Sequence, residues 1–176
     1  ALYNVPTDTL LSKERTQELI EGISMSKATP SSKIKPLRVI NESKDTTHYS
    51  IIDSDGNAVS NTYTLGYSFG SGVTIPGTGI LMNNQMNNFA YRYGDSTIEG
   101  RVASPANRFE PGKRPMSTMA PTMVFDERGD LTLITGSPGG SYIPAAILRV
   151  VSAVVDFDLN IGEATMLPRI HKDWPY

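Results

Sequence analysis

The sequence predicts an α+β fold, and three observations carry that expectation. Two pairs of β-prone runs each flank a turn rich in aspartate and glycine, and an apolar stripe at helical spacing follows the second pair. The first pair covers residues 48–53 and 58–65 around Ser54-Asp55-Gly56-Asn57, which is the pattern of a hairpin. The second covers residues 121–125 and 131–135 around Asp126-Glu127-Arg128-Gly129-Asp130. The stripe is Ile143, Ala146, Ile147, Val150, Val151 and Val154. Its spacing of i, i+3, i+4, i+7, i+8 and i+11 predicts a helix over about 142–155, capped by Ser141 and packed on a sheet.

At 176 residues the chain fits one domain with a real core, and its 15 glycines and 12 prolines suit a turn-rich β architecture. Apolar content of 39% and charged content of 19% are those of a globular protein. A net charge of −2 without a Lys/Arg run of five or more argues against nucleic acid or a membrane surface as partner. No apolar run approaches the roughly 18 residues of a membrane span. The absence of cysteine excludes disulfides, thiol catalysis and zinc–thiolate sites, and leaves the compartment open.

Taken in order, residues 1–11 are expected to be extended. Ser12 is placed to cap a helix running to about residue 21, with Leu19, Ile20 and Ile23 on one side and Gly22 as its stop. Residues 24–36 are rich in Ser, Lys and Pro, and Pro30 and Pro36 make them an exposed connector. Residues 41–45 are polar, a good place for a cleaved bond. In the first hairpin Asp53-x-Asp55 is not a calcium loop, because Gly56 falls at the fourth place and Thr64 at the twelfth. The five glycines between residues 66 and 79 lack dinucleotide-binding spacing, since Ile75 stands where the third glycine belongs. They read as a mobile loop close to other backbone. Residues 90–112 carry no periodicity. A short helix starts at Asn160, with Glu163 completing a capping box and Pro168 ending it.

Four stretches carry candidate chemistry, each with a plainer alternative. Thr46, heading the first strand, would join a hydroxyl and a free α-amine on one residue if the Asp45–Thr46 bond were cut, a nucleophile that needs no histidine or cysteine. Equally, Thr46 and Thr47 are β-branched residues that open an ordinary strand. Asn83-Asn84-Gln85-Met86-Asn87-Asn88 is either a polar loop bonding its own backbone or a row of fixed donors and acceptors for a polar substrate. Lys113-Arg114, ahead of Ser117 and Thr118, is a solvated turn or an anion-binding corner. Gly136-Ser137-Pro138-Gly139-Gly140-Ser141 is a tight strand-to-helix turn, or one whose N–H groups stabilise developing negative charge. The two histidines, His48 and His171, lack metal-ligand spacing, and His48 reads as a strand histidine. Neither a metal nor a cofactor is expected.

Thr46-Thr47-His48-Tyr49-Ser50, Thr62-Tyr63-Thr64-Leu65, Leu81-Met82-Asn83-Asn84-Gln85-Met86, Lys113-Arg114-Pro115-Met116-Ser117 and Gly136-Ser137-Pro138-Gly139-Gly140-Ser141 stand in the order seen in γ-glutamyltransferases. From about residue 1 to 176 the chain resembles their small subunit preceded by the tail of the large one. The resemblance implies an N-terminal-nucleophile hydrolase, an αββα sandwich of two antiparallel sheets, incomplete in a chain of this extent. It divides the sequence into a large-subunit tail and connector (1–45) and a small catalytic subunit (46–176) that stops early at its C-terminus. It implies self-cleavage between Asp45 and Thr46, attack of Thr46 on the γ-glutamyl carbonyl of glutathione-like donors, and completion by water, an amino acid or a dipeptide. Thr64 matches the residue that activates the nucleophile, and Gly139 and Gly140 match the oxyanion-hole backbone. Ser117 and Thr118 match the hydroxyls near the substrate α-carboxylate, and Gln85 and Asn88 the strip that holds its α-amino group. The resemblance also suggests a periplasmic or extracellular location and a partner in the large subunit of the same precursor. A chain without that subunit, with the Thr46 amine bonded to Asp45, is expected to be inactive alone.

Two positions depart from the family pattern. Asn88 stands where an acidic residue is usual, replacing a charge-assisted bond to an ammonium with a weaker amide contact. Gly66 stands where many members carry a longer polar side chain. Both keep open a glutaryl- or cephalosporin-type acylase of the same family, and a non-catalytic homologue is the remaining alternative.

Overall fold

The computed structural model describes residues 7–30, 33, 46–90 and 105–172. Its elements, in chain order, are α1 (Thr7–Leu10), α2 (Lys13–Glu21), β1 (Thr46–Ile52), β2 (Ala58–Thr64), β3 (Thr122–Phe125), β4 (Leu131–Thr135), α3 (Ile143–Val155) and α4 (Ile161–Met166). The strands form two antiparallel pairs, β1 with β2 and β3 with β4. Helices and antiparallel sheets together make the fold α+β, as the sequence predicts.

Both hairpins are closed by the same device. An aspartate at the end of the incoming strand turns its carboxylate onto the backbone N–H groups of its own turn. Asp53 accepts from Asp55 N–H at 2.9 Å, Asn57 N–H at 2.8 Å and the Asn57 side-chain amide at 2.8 Å. Asp126 accepts from Arg128 N–H and Asp130 N–H, both at 2.9 Å, and from the Arg128 guanidinium. The glycine in each turn, Gly56 or Gly129, takes the positive φ the geometry needs (83° and 87°). The hydrogen bonds hold both carboxyls below the usual carboxylate range, led by Asn57 for Asp53 and by the Asp130 N–H for Asp126. The Asp53 carboxylate is thus engaged by its own turn.

Side chains alternate across a strand, and in the first hairpin the polar set turns inward. Thr46 and Thr62 are buried, while Tyr49, Ile51, Val59 and Tyr63 on the opposite face are exposed. The Ser60 hydroxyl donates to the Thr135 carbonyl at 3.2 Å, tying β2 to β4. On β4, Leu133 and Thr135 are buried, and β3 carries an irregularity between Val124 and Phe125 that leaves Phe125 exposed.

Helix α3 buries Ile143, Ile147 and Val150 of the expected stripe together with Ala153, while Ala146, Val151 and Val154 are half-buried. Ile143 has 0% exposure. Val150 and Ala153 pack on Ala164 of α4, with Val154, Leu159 and Leu167 around them. The capping box of α4 forms as expected, Asn160 accepting from Glu163 N–H and Glu163 from Asn160 N–H. At its other end Arg169 donates to the carbonyls of Thr165 and Leu167 and, at 3.5 Å, to that of Ala164, the acceptor that an N–H at Pro168 would have served. Ser12 caps α2 by accepting the Arg15 N–H at 3.0 Å.

Several expectations are corrected. Residues 7–10 are helical, not extended; four residues are too short for periodicity to register, and residues 1–6 lie outside the described part. Ser141 does not cap α3. Gly140–Tyr142 form a 3-10 turn and Tyr142 leads into the helix without a side-chain cap bond, because Gly139 and Gly140, at positive φ, let the chain tighten before the helix begins. Leu19, Ile20 and Ile23 of the α2 region remain more than half exposed, so that stripe has no described partner surface. The glycine stretch folds back on itself, with Ser71 N–H on Met82 O and Ile75 N–H on Ile80 O, both at 2.9 Å. A Cβ at Gly70 would lie 2.1 Å from Met82 O, the close backbone approach the glycines imply. Within 90–112, Pro105–Asn107 form a 3-10 turn and Ala90 bridges Arg108, while residues 91–104 lie outside the described part.

Ile143 anchors the start of α3. Ile143→Ala is expected to lower the unfolding free energy by about 2–5 kcal/mol, and Ile143→Val by about 0.5–1.5 kcal/mol. Chemical denaturation with an unchanged m-value checks this.

Candidate active site

Thr46 opens β1 directly across from Thr64, the last pair of the β1–β2 ladder. The burial is nearly complete, with 8% of Thr46 exposed. Its Oγ1 is buried and has no hydrogen-bond partner among the described residues. Such a hydroxyl gives up water without compensation, a cost of about 1–3 kcal/mol. Opposite it, the Thr64 Oγ1 accepts the Gly66 N–H at 2.9 Å, which fixes the oxygen at the point where the strand leaves the sheet. Asp45 lies outside the described residues.

The amide-rich stretch meets this strand end. Asn84 N–H donates to Leu65 O at 2.8 Å, and the Asn84 Oδ1 accepts the Tyr67 N–H at 3.1 Å. A Cβ at Gly66 would stand 1.7 Å from Asn84 Oδ1 and 3.2 Å from Gln85 Nε2, so Asn84 fills the space a side chain at that position would take. Gln85 N–H bonds the Asn83 Oδ1 at 3.0 Å. Much of the stretch therefore satisfies its own backbone, as the plainer reading expects. Gln85 and Asn88 are joined to each other, the Asn88 amide donating to Gln85 Oε1 at 2.7 Å, and Asn88 is buried.

A residue that the sequence did not single out then ties this strip to the hydroxyl pair. Asn107 donates to the Asn88 carbonyl at 2.5 Å, and its Oδ1 accepts the Met116 N–H at 3.1 Å. One lone asparagine in a stretch without periodicity leaves no signal in the sequence. Next along, the Ser117 Oγ accepts the Met119 N–H at 3.1 Å, and the Thr118 hydroxyl donates to the Gly140 carbonyl at 2.9 Å. The described residues thus link Thr64, Gly66, Gln85, Asn88, Ser117, Thr118 and Gly140 through one run of neighbouring contacts.

Neither basic-pair alternative describes Lys113. Its ammonium turns inward, donating to the carbonyls of Ala106 (3.3 Å) and Arg108 (3.4 Å) and pairing with Glu110 at 3.4 Å, so it braces the loop beneath Asn107. His48 is a strand histidine as expected. Its Nδ1 lies 2.7 Å from Thr62 Oγ1 and its Nε2 3.0 Å from Ser50 Oγ, and burial lowers its pKa, which favours the neutral ring. The ring rests on Gly136, where an added Cβ would fall 2.2 Å from its atoms, so this glycine lets the hairpin meet the turn that leads to Gly139 and Gly140.

Among the described residues, no three or more His, Asp or Glu side chains gather as a metal-binding group, and no helix is long and apolar enough to cross a membrane.

A family model described as gamma-glutamyltranspeptidase matches residues 1–176. The glutathione hydrolase proenzyme of Escherichia coli is 44% identical over 171 residues, covering 97% of this chain and 29% of that relative. The glutathione hydrolase proenzyme of a Pseudomonas species is 41% identical over 169 residues, covering 96% of this chain and 29% of the relative. The chain therefore spans less than a third of the length of these curated relatives. Among solved structures, an acivicin-inhibited gamma-glutamyltranspeptidase, whose C-terminus has critical roles in its autoprocessing and catalysis, superposes with a TM-score of 0.66 at 46% identity over 73% of this chain and 68% of its own. A mutant gamma-glutamyltranspeptidase of Helicobacter pylori gives a TM-score of 0.67 at 46% identity over the same shares.

The contact of Gly136 with His48 gives a direct test. Gly136→Ala should displace the imidazole, break its bond to Thr62 and cost about 1–3 kcal/mol of stability. In a His48→Ala background the same substitution should cost well under half as much, a coupling that a double-mutant cycle by thermal or chemical unfolding reads directly.

Proposed function

The chain belongs to the γ-glutamyltranspeptidase family, and from that premise we propose that it transfers or hydrolyses γ-glutamyl groups of glutathione-like donors through an acyl-enzyme on Thr46. The fold of the family is that of the N-terminal-nucleophile hydrolases. One observation carries the assignment of the nucleophile. The Thr46 hydroxyl is the polar group on the inner face of the first hairpin that is buried without a partner among the described residues, and it heads its strand. Folding does not strand a hydroxyl without reason.

On this reading the Asp45–Thr46 peptide is cut first, which frees the Thr46 α-amine. The amine takes the Oγ1 proton as the oxygen attacks the γ-carbonyl of the donor, and the carbonyl oxygen becomes an oxyanion. Backbone N–H groups of the Gly139-Gly140 turn stabilise that charge. Collapse breaks the C–N bond, the departing amine receives the proton, and an ester on Thr46 remains. Water, or the amine of an amino acid or dipeptide, then attacks the ester and returns the proton to Thr46 Oγ1. Thr64, facing Thr46 across the ladder, orients the nucleophile. Ser117 and the Gln85–Asn88 pair hold the glutamyl head group, and the rest of the precursor supplies the large-subunit partner.

A second reading has its own support. The head-group strip offers the Asn88 amide, already bonded to Gln85, and Gly66 leaves its side-chain space to Asn84. No carboxylate stands among these residues to pair with an α-ammonium, which favours acyl groups without the amine, such as glutaryl.

Two measurements on the full-length protein follow. Thr46→Ala should leave the precursor uncut and γ-glutamyl anilide turnover undetectable, whereas Thr46→Ser should keep both at reduced rate; an uncut band by gel alongside normal turnover, or cleavage of Thr46→Ala, would remove Thr46 from its role. Asn88→Asp should raise the glutamyl-over-glutaryl ratio of kcat/KM by about tenfold, the value of one charge-assisted bond gained.

A further inference from the structure

Two aromatic rings meet at the start of α3, outside the linked residues. Tyr142 closes the 3-10 turn that follows Gly139, and its N–H donates to the Gly139 carbonyl at 3.1 Å. The root of its side chain lies against that glycine, since a Cβ added at Gly139 would stand 3.5 Å from Tyr142 Cβ. Beyond this contact the residue is 48% exposed.

The second ring arrives from the far end of the helical pair. Helix α4 packs on the later part of α3, Ala164 against Val150 and Ala153. Arg169 then secures the end of α4 through the carbonyls of Thr165 and Leu167, and the chain returns to the start of α3. There the half-buried His171 lays its ring 4.2 Å from that of Tyr142, centroid to centroid, with the planes tilted by 40°. A free surface tyrosine loses side-chain freedom when it stacks on a ligand, which weakens binding. With His171 behind it, Tyr142 has lost part of that freedom on folding, and its ring is a preorganised platform for a further ring.

The platform borders the glycine turn from the helix side. Gln85, Asn88 and Ser117 are given to the head group of the acyl donor, and its leaving amine lies on the other side of the reacting carbonyl. An incoming amine takes the same place, because attack on the acyl-enzyme retraces its formation. We propose that Tyr142, backed by His171, lines this leaving-group and acceptor subsite and selects amines that carry an aromatic side chain. This rests on the reading that acyl transfer runs through Thr46 beside the Gly139-Gly140 turn. In the transfer step the acceptor amine attacks the Thr46 ester. The new C–N bond forms as the bond to Oγ1 breaks, and the amine proton passes to Oγ1. Tyr142 touches only the side chain of the acceptor, and His171 is a positioning residue that holds the ring.

The test uses the full-length protein, γ-glutamyl-4-nitroanilide as donor, and L-phenylalanine and L-leucine together at equal concentration as acceptors. Both compete for one acyl-enzyme, so the ratio of their products is set after acylation and is blind to its rate. Wild-type protein should form the phenylalanine product in about threefold to tenfold excess, the scale of one aromatic pair. Tyr142→Leu, which keeps bulk without a ring, should bring the ratio close to one, and Tyr142→Phe should keep the excess. His171→Ala should lower the ratio part of the way, and His171→Phe should restore it. Tyr142→Ser carries the same expectation as Tyr142→Leu should the latter not fold. A wild-type ratio near one, or an excess that survives in Tyr142→Leu or Tyr142→Ser, would overturn the subsite. An unchanged ratio in His171→Ala would remove His171 from it. Release of 4-nitroaniline without any transfer product would sink the subsite and leave acyl-enzyme formation standing. Wild-type protein that releases no 4-nitroaniline would sink the acyl-transfer reading, and this proposal with it.

Discussion

The pairing of β1 with β2 sets the position of nearly everything described above. The side-chain period of a strand is two, so a slip of one residue would move every side chain of β1 to the other face. Thr46 would then point outward, and His48 would lose Thr62. The register is pinned seven residues away, at the exposed turn, where the Asp53 carboxylate gathers the N–H groups of Asp55 and Asn57. A carboxylate with no part in chemistry thus determines that Thr46 faces Thr64. The second hairpin repeats the device at Asp126, and its strand β4 presents Thr135 to Ser60 and leads into Gly136, which meets His48.

Placing the polar face of the hairpin inward commits the fold to satisfying hydroxyls and an imidazole away from water. Thr62 and His48 serve each other, and Ser60 finds a carbonyl. Thr46 Oγ1 is the exception on that face. Among the described residues the other buried side-chain atom without a partner, Arg149 Nε, lies on α3. Leaving a small hydroxyl unbonded costs about 1–3 kcal/mol, an amount one α3-to-α4 packing contact can offset.

What the sequence revealed follows from the range of the forces involved. Turn chemistry and periodicity act over a few residues, so both hairpins, the capping box at Asn160 and the stripe from Ile143 to Val154 were legible. The inward face of the first hairpin was not. Tyr49 and Ile51 are the apolar members of the alternation, and only the tertiary fit of His48 on Gly136 turns them outward. Helix-start rules point to Ser141 as a cap because they assume an ordinary first turn, and two glycines at positive φ allow a tighter one. The candidate site was legible as ordered motifs, through family resemblance. Its internal wiring was not, since Asn107 links Asn88 to Met116 by contacts that no local spacing encodes.

The candidate residues share one property that bears on mechanism. Thr46, Thr64, Gln85, Asn88, Ser117, Thr118, Gly139 and Gly140 carry no side chain that titrates near neutral pH. Tuning a carboxylate or an imidazole, the usual way to obtain a base, is not open to this set. On the proposed reading the base is the Thr46 α-amine, whose ordinary pKa of about 8 already lies close to working pH. That amine exists only after the bond to Asp45 is broken. One covalent event therefore creates the base, and the charge in the transition state falls to fixed backbone N–H groups, which need no proton of their own. For such a site the orientation of peptide planes takes the place of pKa tuning.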